Sequence, residues 1–135
     1  MEVYRVENES HRGPYNAGEA YHPDTGDQPT PWCDRRLSRH WDKVNAQNIE
    51  SQYLFGFGTL DQLRKWFNDP AWLNEAEEEG FRLAVYDVDP QPFMYERPFD
   101  ERKLLVDAVL PGDNQLCFWK DSARLVRTAP LSSIY

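Results

Sequence analysis

A single arginine, Arg5, interrupts a short run of aromatic and β-branched residues near the start of the chain. Residues 2–7, EVYRVE, alternate in side-chain type as a strand does. A guanidinium in the middle of such a strand is costly to bury unless it meets an anion or a carboxylate. We therefore expect Arg5 to hold an anionic ligand, to pair with Glu7 or Glu96, or to point into solvent.

The stretch that follows is rich in aromatic side chains. Tyr15, Tyr21, His22 and Trp32 lie among Gly-Pro, His-Pro and Pro-Thr-Pro sequences that prevent a sustained helix or ladder. These rings could clamp a planar ligand by stacking, and the alternative is that they fill a hydrophobic core. Loops longer than about 12–15 residues are uncommon in compact domains unless they are functional or disordered.

Metal ligation and thiol catalysis receive less support. The histidines and cysteines match no known metal-site spacing, so no metal is expected. The phosphate-loop, dinucleotide-binding, nucleophile-elbow, zinc-protease and C-x-x-C motifs are absent. Arg35 and Arg36 would favour a thiolate at Cys33, but no histidine-assisted nucleophile is evident. Without an export signal, Cys33 and Cys117 are expected to be free thiols.

The elements that must position these residues form an α+β pattern. Thr59 and Gln62 form a capping box that predicts a helix from residue 60, and Asp69-Pro70 predicts the start of a second helix that ends before Gly80. A further short helix is indicated over 33–44. Strands are predicted over residues 2–7, 53–57, 81–88, 93–97, 103–110, 115–120 and 123–128.

The predicted fold is a single domain, residues 1–135. It has a twisted, mostly antiparallel sheet, a long N-terminal loop, and two helices between the second and third strands. At 40% hydrophobic and 14% aromatic residues, the chain can bury a core.

The net charge of the chain limits the kinds of molecule that it is expected to bind. The chain has 15 Lys and Arg against 23 Asp and Glu, a formal net charge of −8. Such a charge repels a phosphate backbone, so direct nucleic-acid binding is not expected. No apolar run approaches the length of about 18 residues that a membrane span needs, and the first ten residues are unlike a signal peptide. A cytoplasmic location is expected, and the oligomeric state is left open.

The order of motifs resembles a group of small uncharacterised proteins of tailed phages and prophages. The resemblance lies in V-Y-R-V-E-N, in G-P-Y after it, in H-P-D at His22–Asp24, in F-G-F-G-T-L-D-Q-L ahead of W-F, and in G-F-R-L-A-V-Y, and so covers most of residues 1–90. It implies a phage setting, and hence the cytoplasm of a bacterial host. It implies no activity.

The sequence is also similar to the ADP-ribosyltransferase fold. That fold holds NAD with an early-strand Arg or His, a variable loop, and an aromatic strand that ends in Ser or Thr at a helix start. The resemblance gives these roles to Arg5, to the loop with Tyr15 and His22, and to Phe57 with Thr59. The family's catalytic glutamate would lie on a late strand, where this chain has Gln115, and Glu96 is the substitute. Because a neutral Gln poorly stabilises a developing positive charge, transferase activity is in doubt.

Two functions follow from these observations. The first is binding of NAD or a related nucleotide, with or without catalysis, as a counter-defence or host-modifying factor. The second is a non-enzymatic acidic interaction protein, a DNA mimic or a defence inhibitor, that docks on a basic host protein surface. Its carboxylates would include Asp24, Asp27, Glu75 and Glu77–Glu79. Complementary charge speeds the encounter of two proteins, although a glutamate run at a helix end is usually just solvated.

Overall fold

A computed structural model describes residues 1–13, 34–98 and 101–134. Its helices are α1 (Arg35–Ala46), α2 (Leu60–Trp66) and α3 (Pro70–Glu78). Its strands are β1 (Glu2–Glu7), β2 (Tyr53–Gly56), β3 (Arg82–Val88), β4 (Phe93–Glu96), β5 (Lys103–Val106), β6 (Val109–Leu110), β7 (Leu116–Trp119) and β8 (Ala123–Ala129). Short 3-10 turns lie at Glu50–Gln52, Lys120–Ser122 and Leu131–Ile134. The predicted α+β class is confirmed.

Every strand pairing in the described residues is antiparallel. The strands divide into a sheet of order β1-β3-β8, a sheet of order β2-β7-β6, and the β4–β5 hairpin. The first two sheets meet where the backbones of Tyr4 and Phe57 exchange two hydrogen bonds of 2.8 Å. The chain therefore uses several small sheets to cover its core.

The core lies in three layers, which follow from the two-residue alternation of the strands. Leu83 and Val85 of β3 face α2 and α3, whereas Ala84 and Tyr86 face the β2-β7-β6 sheet. The other face of that second sheet is covered by α1 and by the β4–β5 hairpin. Thus α3 and α1 occupy opposite outer layers of the molecule.

The predicted helix caps are found where the sequence placed them. Thr59 Oγ1 accepts the N–H of Gln62 at 3.1 Å and begins α2. Asp69 caps α3 through the N–H of Ala71, with Pro70 in the first turn. Gly80 has a φ of +96°, a conformation that glycine adopts without strain, and it ends the α3 segment.

Two segments differ in detail from the prediction. The strand predicted over 103–110 is two strands, β5 and β6, separated by Asp107 and Ala108. Val85 of β3 pairs with Arg127 of β8, and Tyr86 of β3 pairs with Leu125. Val126 of β8 is therefore the extra residue of a β-bulge. None of the described helices has the length and apolar character needed to cross a bilayer.

Candidate functional site

Arg5 is buried within the chain, and each nitrogen of its guanidinium has a protein acceptor. Nε donates to Glu7 Oε1 at 3.1 Å, one terminal nitrogen donates to the carbonyl of Phe55 at 2.8 Å, and the other donates to the carbonyl of His11 at 3.3 Å. The side chain lies between the two main sheets because it shares a face of β1 with Val3. Of the partners considered for Arg5, the structure shows Glu7.

Glu7 is the centre of this buried cluster and has no exposed surface. Besides the contact with Arg5, it accepts a hydrogen bond of 2.6 Å from the hydroxyl of Tyr86 and lies 2.6 Å from Nδ1 of His11. An ionised carboxylate only accepts hydrogen bonds, so Nδ1 is the donating nitrogen of His11. We call Arg5, Glu7, His11 and Tyr86 the Glu7 cluster.

Electrostatics inside the Glu7 cluster follow from burial. Desolvation lowers the pKa of Arg5, and the nearby charge of Glu7 opposes that shift. Burial also raises the pKa of Tyr86, and its hydrogen bond to Glu7 adds to the effect. Tyr86 is therefore a neutral donor, and Arg5 with Glu7 forms a buried ion pair whose polar atoms are satisfied by the chain itself.

A tight turn after β1 brings His11 back onto Glu7. The side chain of Asn8 accepts the N–H groups of Ser10 and Arg12 at 2.9 and 3.0 Å. His11 takes a φ of +61°, in the left-handed region, and its side chain is half exposed. A carboxylate that orients an imidazole in this way is also found where histidine transfers protons.

A catalytic thiol is disfavoured among the described residues. Cys117 is the free thiol among them, and its side chain is fully buried. Burial raises the pKa of this thiol, which disfavours the thiolate. No group of three or more potential metal ligands is present in the parts of the chain that are described. The geometry thus assigns no catalytic step.

Three other predicted site residues in the described part of the chain, Phe57, Thr59 and Glu96, are not gathered around Arg5. Phe57 packs in the core beside α2 and α3, 6.0 Å from the ring of Phe67, on the opposite side of β1 from Arg5. Thr59 is exposed and caps α2. Glu96 ends β4, exposed and opposite Lys103. Tyr15 and His22 lie outside the described residues.

Gln115 is buried just before β7, and its amide nitrogen has no hydrogen-bond partner among the described residues. A buried donor without a partner is uncommon in proteins. Gln115 is next to a second polar centre, the carboxylate of Asp34. This neighbourhood lies at the turn between β6 and β7.

Asp34 joins α1 to that turn. Its carboxylate accepts the N–H of Leu37 in α1 at 3.1 Å and those of Asp113 and Asn114 at 3.0 and 2.9 Å. Burial opposes the charge of Asp34, but these N–H groups, together with that of Gln115, lower its pKa. The turn must also approach closely, because a Cβ at Gly112 would lie 2.7 Å from Asp34 Oδ2.

Sequence reasoning missed Tyr86 and the role of Asp34. A signal for Glu7 was present, since residues 5 and 7 of one strand share a face. An aspartate three residues before the apolar Leu37 is also a helix-cap pattern, which would have placed the start of α1 after Asp34. Tyr86 carries no local signal, because its contact with Glu7 spans 79 residues of sequence.

Fold and site together define a small α+β protein in which the described strands pair antiparallel and the buried guanidinium of Arg5 is paired with Glu7. A protein-family profile described as Bacteriophage T4 Y00F protein matches residues 1–132. The chain belongs to this phage protein family, which agrees with the phage resemblance of its sequence. Comparisons with curated proteins and with solved structures gave no match.

Proposed function

We propose that the chain is a non-enzymatic phage interaction protein that docks through acidic side chains on a basic surface of a host protein in the cytoplasm. The observation that carries this proposal is the state of Arg5. Its guanidinium is buried, and each of its three nitrogens donates to Glu7 or to a backbone carbonyl, so a nucleotide phosphate would have to displace a buried carboxylate. The polar groups that are accessible to a partner are instead the charged side chains on the surface.

Helix α3 is the described surface that best fits such docking. Leu73 and Ala76 bury one side of it, whereas Glu75, Glu78 and Glu79 are exposed. These three carboxylates form no ion pair with the described residues. In a chain of net charge −8, they add to a field that attracts a basic partner.

The test is a pull-down from host lysate at low and high salt, followed by measurement of association rates with the captured protein. Charge reversal in Glu75→Lys/Glu78→Lys is expected to slow association by about tenfold at low salt. The matched control is Glu101→Lys/Asp121→Lys, which changes the net charge equally at exposed sites elsewhere. Equal association rates for wild type and the α3 variant, with no salt dependence, would refute the proposal.

Binding of NAD or a related nucleotide is the second candidate. The observation that favours it is the buried amide nitrogen of Gln115, which has no hydrogen-bond partner among the described residues. A ligand acceptor at this position would satisfy the donor. The test is a thermal-shift titration with NAD, NADP, ADP-ribose and cyclic nucleotides. A ligand at about 100 times its Kd stabilises the fold by about 2.7 kcal/mol. A saturable shift that is lost in Gln115→Met would favour this function, and a flat response would remove it.

A further inference from the structure

Helix α1 carries a concentrated positive surface in an otherwise acidic chain. The basic face of α1 consists of four exposed residues, Arg35, Arg36, Arg39 and Lys43. At about 100° per residue, these positions fall within an arc of about 100° on the helix. The buried residues Leu37 and Val44 lie on the opposite side, so the four side chains project from the molecule together.

These four cations are not neutralised by the described part of the chain. None of them forms an ion pair with a described residue, and the single acidic residue of α1, Asp42, does not pair with them either. Four exposed like charges on one helix face repel one another at a cost in stability. No hydrogen bond or ion pair between these four side chains and a described residue offsets that cost.

The helix beneath the basic face is held to the rest of the fold at its first turn and along its buried side. Asp34 fixes the first turn of α1 to the β6–β7 turn through hydrogen bonds to both. The buried stripe of the helix packs with Ile49, Tyr53 and Trp119 against the second sheet. The carboxylate of Asp34 already occupies the positive end of the helix dipole, so any ligand must be recognised by the side chains alone.

We propose that the basic face of α1 binds an acidic segment of a partner protein. Three of the four cations are arginines, whose planar forks bind carboxylates in a bidentate manner. Charge complementarity identifies the partner as anionic. A short acidic segment is favoured over nucleic acid because α1 is only about 18 Å long. A duplex carries a charge about every 1.7 Å and would extend beyond α1 over the acidic remainder of the chain, which repels it.

This surface is separate from α3, which lies in the opposite outer layer. The proposal does not depend on docking through the α3 glutamates, and either surface can fail alone. With both in use, the chain would join a basic partner on one side to an acidic partner on the other. The inference thus adds a second class of partner to the first.

The test measures fluorescence anisotropy of a labelled peptide of consecutive glutamates, with the full chain at low salt. Wild type is expected to bind, and Arg36→Glu/Arg39→Glu is expected to lose about tenfold or more in affinity. The matched control is Arg124→Glu/Arg127→Glu, which makes the same change in net charge on the exposed strand β8 and should stay within about twofold of wild type. Arg36→Gln/Arg39→Gln serves if the reversed variant does not fold.

Four outcomes would overturn the proposal. Equal losses in the α1 variant and the β8 control would show that net charge, not this surface, governs binding. Tighter binding of a duplex oligonucleotide than of the glutamate peptide, lost in the α1 variant, would assign the face to nucleic acid. Self-association of wild type in sedimentation at low salt, abolished by the α1 variant, would assign it to a second copy of the chain. Absence of any binding to the peptide would refute it directly.

Discussion

Removal of the Glu7 carboxylate should show how much the buried ion pair between Arg5 and Glu7 contributes to the free energy of unfolding. In Glu7→Leu, a side chain of similar size leaves the guanidinium of Arg5 buried without its counter-charge. Loss of one partner of a buried pair costs about 3–5 kcal/mol. The hydroxyl of Tyr86 and Nδ1 of His11 also lose an acceptor, so the upper part of this range is expected.

The size of the chain converts this free energy into a melting temperature. With an unfolding entropy of about 2.1 cal/mol/K per residue, 135 residues give about 0.28 kcal/mol/K. The upper part of the range, about 4–5 kcal/mol, therefore corresponds to a fall in Tm of about 14–18 °C, measured by calorimetry. The control is Glu9→Leu, an exposed glutamate in the following turn, which should change stability by no more than about 0.5 kcal/mol.

A double-mutant cycle separates the ion pair from simple loss of packing. Arg5→Met/Glu7→Leu removes both charges, so it should cost about 1–3 kcal/mol less than the sum of the two single variants. Urea unfolding of the four proteins gives the coupling free energy. Additive costs, or a loss of less than about 1 kcal/mol in Glu7→Leu, would refute the buried-pair reasoning.

Three further predictions concern the β6–β7 turn and its neighbours. Asp34→Asn should lose about 2 kcal/mol or more at pH 7, because the backbone N–H groups lose an ionised acceptor. Because the folded pKa of Asp34 is lowered, its carboxylate stabilises the fold fully above the unfolded pKa of about 3.9, and this stabilisation is lost as the pH falls below that value. The free energies of unfolding of wild type and variant should therefore converge at acid pH. Gly112→Ala should destabilise by about 1–3 kcal/mol in urea unfolding, because the new Cβ would lie 2.1 Å from the carbonyl of Gln115. In a Cys33→Ser background, Cys117 should react with a thiol reagent only as the protein unfolds, because the thiol is buried and its pKa is raised.

Each of these three predictions has a defined contrary result. A stability difference between wild type and Asp34→Asn that stays constant down to pH 2 would show that the charge is unimportant. Gly58→Ala is the control for Gly112, since its nearest contacts would be an ordinary 3.7 Å, and equal losses in both variants would exclude the steric explanation. Rapid labelling of native Cys117, compared with the same protein in guanidinium, would contradict its burial.

Local signals account for most of the elements that were predicted correctly. Thr59, Asp69-Pro70 and Gly80 mark helix ends through their own backbone and side-chain chemistry, and the strands β1 and β3 show alternating residue types. The division of the strands among several sheets has no such signal. It depends on contacts distant in sequence, such as the backbone bonds between Tyr4 and Phe57.

The candidate site was less predictable than the fold. Arg5 was identified as a charge that needs a partner, with Glu7 among the partners considered, but the contact of Tyr86 with Glu7 depends on the pairing of β3 with β1. Phe57 and Thr59 were assigned to ligand binding by resemblance, and in the structure Phe57 packs in the core and Thr59 caps α2. A sequence pattern identifies a buried charge that needs a partner more readily than it identifies the partner.

The bulge at Val126 has a consequence for the behaviour of the chain at high concentration. Among the described strands, β8 lies at one edge of the β1-β3-β8 sheet, and most of its residues are exposed, including Leu125 and Val126. An open edge with apolar side chains invites another chain to add a strand and begin fibre growth. The extra residue interrupts the regular spacing of N–H and C=O groups, and Arg124 and Arg127 would each bring a charge into the new pairing. The same irregularity that appears as a defect in the ladder therefore protects the fold against edge-to-edge aggregation.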